Sequence, residues 1–288
     1  MKTSFDAGRR TGRRLAAPMT RIVSGCGWLL LLLCSGCALF SPRPEVIHGP
    51  ERAAVATAFQ ELHRRQADCH CCIDAAVTVT IRGLLRSGTV AGYLQAMSPS
   101  FLRFVGVNPL GQPLLILVSD GHRFQYLAVP EAKEYSGDVR AETFVKYAPA
   151  GFRPGEAYFW LTGRLPDGEL TVEEVAAGGE DPGYWLTVLG PAGAGQERHR
   201  LLFDPAAGLI RRHQVLDGRG GVEMDAVYEQ QRAVGAVGCR LPSLIMVTTS
   251  RHQGTLRVAF SDWQDQVSLT ENDFSFARPP GFEEVEVP

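Results

Sequence analysis

From Ala75 almost to the C-terminus the apolar residues recur at every second position and are interrupted at short intervals by turn-forming residues, which commits the chain to strands. In the first run, 75–84, Val77, Val79 and Ile81 share one side while Thr78 and Thr80 share the other. Similar runs occupy 88–97, 101–107, 113–120, 123–130, 169–176, 184–190, 197–204, 209–216, 222–229, 243–249, 255–262 and 274–276. Their separators include Ser119-Asp120-Gly121, Asp204-Pro205, Ala207-Gly208 and Asp217-Gly218, all turn material. The pattern predicts a mainly β fold built as an antiparallel meander.

Helices are few. Pro50 or Glu51 can open one that runs to about Ala67, with Val55, Phe59 and Leu62 as a single apolar stripe and charged residues elsewhere, so it belongs on a surface. Two shorter helical segments, Ala141–Tyr147 and Gly155–Leu161, interrupt the strands and predict a cap over one face of the sheet. An open or partly closed sheet capped in this way leaves a concavity, and such mouths bind apolar ligands. Leu114-Leu115-Ile116-Leu117-Val118 lacks polar alternation, so both of its faces avoid water. It fits either a strand buried between sheet and core or an apolar wall facing a ligand.

The N-terminal segment concerns location. Leu29–Leu33 ends in Cys34-Ser35-Gly36-Cys37, and Arg21 supplies a positive flank. The apolar run is far shorter than the ~20 residues that span a bilayer. This order resembles the signal peptide of a bacterial lipoprotein, and the resemblance implies cleavage after Gly36 and acylation of Cys37. Cys34 stands where leucine is usual in that pattern. Val23-Ser24-Gly25-Cys26 matches its letters but precedes the leucines, so Cys26 is discounted. Arg9, Arg10, Arg13 and Arg14 suggest a twin-arginine export signal, against which stands a start at Met19 with a compact charged flank. Ala38 and Leu39 lack the aspartate that retains such proteins at the inner membrane, so the resemblance implies the outer membrane. Residues 37–49, with Pro42 and Pro44, read as a tether, and 50–288 as one domain.

The discarded segment carries Lys2, Arg9, Arg10, Arg13, Arg14 and Arg21 against the single acid Asp6, so the remaining chain is more acidic than the formal charge of −2 of the whole, which argues against nucleic acid as a partner. The acidic run Glu283–Val287 reads as a solvated edge. Cys69, Cys71, Cys72 and Cys239 are even in number in an oxidising compartment, so disulfides are expected, with the pairing open. Cys69-His70-Cys71-Cys72 also has metal-ligand chemistry, but no second Cys/His pair follows at zinc-finger spacing, and the expectation is no metal. Hydrolase, zinc-protease and phosphate-loop motifs are absent, so the reading is of a non-enzymatic protein without a cofactor. Gly190–Gly195 is a hairpin loop, and His48, His63, His122, His199, His213 and His252, scattered among polar neighbours, read as surface or edge-strand residues.

Two segments carry a wider resemblance: Ser98–Pro113, containing Asn108-Pro109-Leu110-Gly111, and Trp160-Leu161-Thr162-Gly163-Arg164-Leu165-Pro166. With Phe274–Gly281 as a closing strand, the chain resembles the LolB-like branch of the LolA/LolB lipoprotein-carrier superfamily. The length, the loop at 176–183 and the extra cysteines depart from that pattern. The resemblance implies a strongly curved antiparallel sheet, an incomplete barrel, with a few helices capping an apolar cavity for the acyl chains of lipoproteins or lipid. It implies an outer-membrane lipoprotein that helps insert such cargo into the membrane after receiving it from a periplasmic carrier. Leu110 matches an exposed leucine that acts at the membrane in the receptor, though a leucine in such a turn can also fold back on the core. Phe101, Phe104, Leu114, Ile116, Val118, Phe124, Tyr126 and Trp160 are the expected lining of the cavity or its lid. The alternative is a periplasmic sensor or assembly protein that uses the same fold to bind a protein partner.

Overall fold

Among the described residues, fourteen strands form one curved sheet whose two ends do not pair with each other, an incomplete barrel. The computed structural model describes residues 45–69, 72–83, 87–139, 154–190, 197–234, 239–250, 254–264 and 268–287. The sheet consists of two meanders set side by side. One runs outward through β1 (Ile73–Arg82), β2 (Ser87–Met97), β3 (Phe101–Val107), β4 (Pro113–Ser119), β5 (Arg123–Ala128) and β6 (Lys133–Asp138). The other returns through β7 (Thr171–Ala177), β8 (Tyr184–Leu189), β9 (Arg198–Asp204), β10 (Leu209–Leu216), β11 (Val222–Val234), β12 (Cys239–Thr249) and β13 (Gly254–Ser261). Antiparallel pairing of β1 with β13, with Val77 opposite Phe260, joins the two.

The strand periodicity places β1 to β5, β7 to β10 and β13 close to their expected bounds; β11 runs on to Val234 and β12 starts at Cys239, beyond the expected 222–229 and 243–249, and three elements near the edge differ. Lys133–Asp138 was not expected as a strand, because Lys133-Glu134-Tyr135-Ser136-Gly137-Asp138 has no apolar alternation; ladders on both sides hold it. Residues 274–276 are not a strand. A 3₁₀ turn, Glu271–Phe274, ends there, its start fixed by a capping box between Thr270 and Asp273. The closing strand is instead β14 (Glu283–Val287), which runs parallel to β6 and half-buries Val285 and Val287. The acidic run is therefore a paired strand as well as an edge, and its exposed glutamates discourage further pairing there.

The long helix α1 (Gly49–Ala67) carries Pro50 in its first turn and buries Val55, Phe59 and Leu62, the expected stripe. Phe59 is 1% exposed and meets the edge of Phe203 at 5.7 Å. Around it the inner face contributes Ile73, Ala75 and Val77 from β1, Leu186 and Val188 from β8, and Leu201 and Phe203 from β9, all in one apolar core. The short helix α2 (Ala157–Thr162) touches β3 and β12 and adds Tyr158, Phe159 and Trp160 to the same core. Gly163 ends α2 at φ +67°, and the Arg164 N–H donates to the Phe159 carbonyl at 2.9 Å, a Schellman closure. The other expected short helix, Ala141–Tyr147, lies outside the described residues.

The last residues of the expected tether pair with the sheet: the Ile47 N–H donates to the Val175 carbonyl and the Ala177 N–H to the Glu45 carbonyl, both at 2.8 Å. They cover part of the β7 edge. A disulfide joins Cys69, just past α1, to Cys239 at the start of β12, with Cα atoms 5.9 Å apart and a sequence separation of 170. Cys72 is a half-buried free thiol, and Cys37, His70 and Cys71 lie outside the described residues.

Candidate functional site

Residues directly opposite one another in a ladder share a face, so the register sorts the expected lining without ambiguity. Leu94, which is in the core, stands opposite Phe104; Phe104 stands opposite Leu117, Leu117 opposite Tyr126, Tyr126 opposite Tyr135, and Tyr135 opposite Val285. This apolar row crosses the inner face from β2 to β14. Phe104 and its neighbour Leu102 pack against the core, whereas Leu117, Tyr126 and Tyr135 extend beyond it and are only half-buried. The rings of Tyr126 and Tyr135 lie 6.0 Å apart. Burial raises the Tyr126 hydroxyl above its ordinary pKa, and the nearby Glu131 charge adds to the effect.

The eight expected lining residues therefore do not form one surface. Phe104, Phe124 and Tyr126 face inward, Phe124 being buried one row along from Tyr126. Phe101, Ile116 and Val118 face the other side, because the period of two that the unbroken apolar run concealed still operates in the strand. Leu114 falls at a register shift, where Gly106 pairs with Leu115 and Val107 with Pro113. Trp160 is core: its indole stacks on the His213 imidazole at 4.2 Å and 7°. The outer face has its own cover, since the segment after residue 268 lays Phe274 against Phe101 at 5.3 Å and accepts a 2.9 Å bond from Arg103 Nη1 to the Asp273 carbonyl.

Leu110 is 83% exposed. Asn108 builds the turn that presents it. The Asn108 carbonyl accepts the Gly111 N–H at 2.9 Å, and its side-chain Oδ1 accepts the N–H groups of Leu110 and Gln112 at 2.9 and 3.0 Å. Gly111 then takes φ +81°, which a side chain would strain, and returns the chain to β4. With the loop's backbone groups bonded to one another, Leu110 has nothing to pack on and projects into solvent.

His199 and His213, expected at the surface, are buried together on β9 and β10, with Nδ1 of the first 2.9 Å from Nε2 of the second. Both occupy inward positions of their strands, a signal present in the alternation Arg198-His199-Arg200-Leu201. Burial, with the neighbouring His199, holds His213 well below the usual histidine pKa, so it is neutral at pH 7. Tyr228 is also buried, and burial raises its hydroxyl.

Two clefts open elsewhere. A groove of about 340 Å³ on the outer side of β4 to β6 is lined by Val118, Gln125, Glu134, Phe274 and Glu284 among others. A smaller cleft of about 30 Å³ lies between the end of α1 and the end of α2. Beneath α1 and α2 themselves the described side chains share one apolar core.

No family model and no curated protein matches this chain. Solved structures do. A DUF1329 family protein from Desulfovibrio piger aligns at a TM-score of 0.54 and 11% identity, covering 77% of this chain and 97% of its own. A putative outer membrane lipoprotein-sorting protein domain from Vibrio parahaemolyticus aligns at 0.54 and 11%, covering 76% and 97%. A LolA superfamily protein from Nitrosomonas europaea aligns at 0.52 and 9%, covering 75% and 97%. At these identities the likeness concerns the fold alone: the chain has the curved open sheet of LolA-superfamily and lipoprotein-sorting domains.

Proposed function

We propose that the protein is a lipid-anchored outer-membrane lipoprotein that holds acyl chains of lipoproteins or lipid against the inner face of β3 to β6 and passes them to the membrane. The observation that carries this reading is the apolar row Phe104, Leu117, Tyr126 and Tyr135, which continues past the core filled by α1 and α2. Each buried methylene of an acyl chain contributes about 0.8 kcal/mol, so an apolar strip of this kind can compete with a bilayer for a chain. Transfer then requires a small difference in free energy and no catalytic group. Acylation at Cys37 would keep the domain beside the membrane it serves, and the fold shared with lipoprotein-sorting domains supports the assignment.

The register supplies the test. In a displacement assay with a fluorescent fatty-acyl probe, Leu117→Asn on the inner face should weaken binding strongly, whereas Ile116→Asn, one residue away on the outer face, should not. Equal losses in the two variants would refute the inner row as the binding surface. A second reading, a sensor or assembly protein that binds a protein partner, is favoured by the apolar core that α1 and α2 share with the sheet beneath them. It predicts a folded wild-type protein that binds no acyl probe.

A further inference from the structure

The inner stripe of β1 is not covered evenly along its length. Ala75 and Val77 are 1% and 2% exposed, Val79 is half-buried against the core, and Ile81, the last of the stripe, is 51% exposed. Ile81 pairs with Leu256 of β13 on one side and Gly88 of β2 on the other. Gly88 gives it no side chain to pack on, and among the described residues no atom lies within 4 Å of where one would begin. The apolar inner face is therefore closed where β1 starts, near the disulfide that ties the end of α1 to β12, and open among the described residues where β1 stops.

Leu110 stands at this same open end. Ala91 of β2 pairs with Val107 of β3, so three residues further along Gly88 and Leu110 stand level, and Gly88 pairs with Ile81. Two strand spacings, about 10 Å, separate the positions of Ile81 and Leu110. The turn between β10 and β11 lies at this end as well: Met224 pairs with Thr249, Thr249 with Gly254, and the next residue, Thr255, with Arg82. Three of the five exposed large apolar side chains among the described residues, Ile81, Leu110 and Val222, thus share one end of the sheet. Two exposed arginines accompany them, Arg82 next to Ile81 and Arg219 in the turn before Val222. The acid of that turn is engaged locally, since Asp217 Oδ1 accepts the N–H groups of Arg219 and Gly221 at 2.8 and 2.7 Å.

This arrangement selects its partner. Apolar side chains on separate strand ends form no continuous patch for a protein to cover, whereas a lipid surface lets each one enter by itself while headgroup phosphates meet the guanidinium groups. We propose that this end of the sheet rests on an anionic lipid surface, with Ile81 entering the apolar layer beside Leu110 and with Arg82 and Arg219 held at the headgroups. The inference rests on the carrier reading for its purpose, because it sets the open end of the inner face against the membrane.

The test uses the full chain on vesicles of phosphatidylethanolamine and phosphatidylglycerol, labelled with a nitrobenzoxadiazole maleimide at Ile81→Cys, Leu110→Cys or, at the opposite end, His122→Cys, with the label taken up by the unsubstituted chain subtracted. Emission at positions 81 and 110 should shift to shorter wavelength and be quenched by doxyl-labelled lipid, while position 122, exposed in the β4–β5 turn, stays in water. In the chain labelled at 110, Ile81→Ser should lower the docked-to-undocked ratio roughly tenfold or more. Arg82→Gln with Arg219→Gln should lower it roughly 30-fold on these vesicles and leave it unchanged on phosphatidylcholine. Position 81 in water while 110 is quenched, equal quenching at 122, or both positions in water on a vesicle-bound chain would overturn the proposal. Displacement of an acyl probe is scored separately on the same chain, and its failure refutes the carrier reading alone.

Discussion

Leu110→Glu separates membrane contact from stability more cleanly than any other substitution in this protein. The leucine is 83% exposed, and the backbone of its turn is held by Asn108 and Gly111 with no contribution from the Leu110 side chain. Its replacement should therefore change folding stability by no more than about 0.5 kcal/mol, as expected for surface sites that carry no special contact. If Leu110 enters the bilayer during delivery, the wild type gains about 1.5–3 kcal/mol from its burial there, which corresponds to roughly a 10- to 150-fold change in the encounter that precedes transfer. Glutamate forfeits that gain and adds the cost of desolvating a charge. The assay loads the protein with a fluorescent acyl probe and follows its appearance in liposomes, with probe affinity and urea midpoint measured in parallel. The expected result is slowed transfer with affinity and midpoint unchanged. Transfer at the wild-type rate would refute a membrane role for Leu110 while leaving the binding face untouched.

Phe59→Ala should cost about 3–5 kcal/mol in urea unfolding, because the ring is almost fully buried against Phe203 and is the largest side chain of the stripe Val55, Phe59 and Leu62 by which α1 enters the core. Replacing Cys69 and Cys239 together by alanine releases a loop of 170 residues, and chain entropy sets the loss at up to about 5 kcal/mol, read as a fall in urea midpoint; an unchanged midpoint counts against the pairing. His213 is depressed below its ordinary value of 6.5, so the unfolded chain binds the extra proton first as pH falls. The stability it contributes is complete above about pH 6.5 and is lost below it, at up to about 1.4 kcal/mol per pH unit; His213→Gln should flatten that slope in urea midpoints compared at pH 7.5 and 5.5. Cys37→Ala should move the protein from the membrane to the soluble fraction, and intact-mass analysis of the wild type should show a lipid-modified N-terminus; a chain still carrying Trp28 contradicts this.

The parts legible in the sequence are those governed by local periodicity. Val55, Phe59 and Leu62 define α1 because a helix returns to one face every three or four residues, and alternation defines the strands of both meanders. Lys133–Asp138 lay beyond that reasoning, since its strand is held by neighbours on both sides and not by any pattern of its own. The pairing of β1 with β13 is also non-local, and no residue of either strand announces its partner. At the candidate site the turn of Leu110 could be read from Pro109 and Gly111, but the lining could not. A run such as Leu114–Val118 is apolar at every position, so its composition conceals which residues turn inward, and only the register places Leu117 with Phe104 and Ile116 opposite them. The burial of His213 likewise depends on a non-local neighbour, since the Trp160 indole of α2 stacks on its imidazole.

The two halves of the sheet differ in a way that bears on how such a fold can hold a guest. On the returning meander, Leu186, Val188, Leu201, Phe203 and Val215 are at most 2% exposed, and α1 lies against this half as a permanent part of the core. On the outgoing meander, Leu115, Leu117, Tyr126 and Tyr135 are apolar yet only half-buried, and among the described residues the inner face there carries no second layer like the one α1 provides to its counterpart. Filling the first half fixes the curvature of the sheet without depending on a ligand. The second half can then exchange apolar partners, because losing one there exposes a strip of the sheet and does not dismantle the core. In a carrier both properties are needed at once, since a chain whose only core were its cargo would unfold on delivery. Mutations in β8 and β9 should accordingly be read out in stability, and those on the inner face of β4 and β5 in binding.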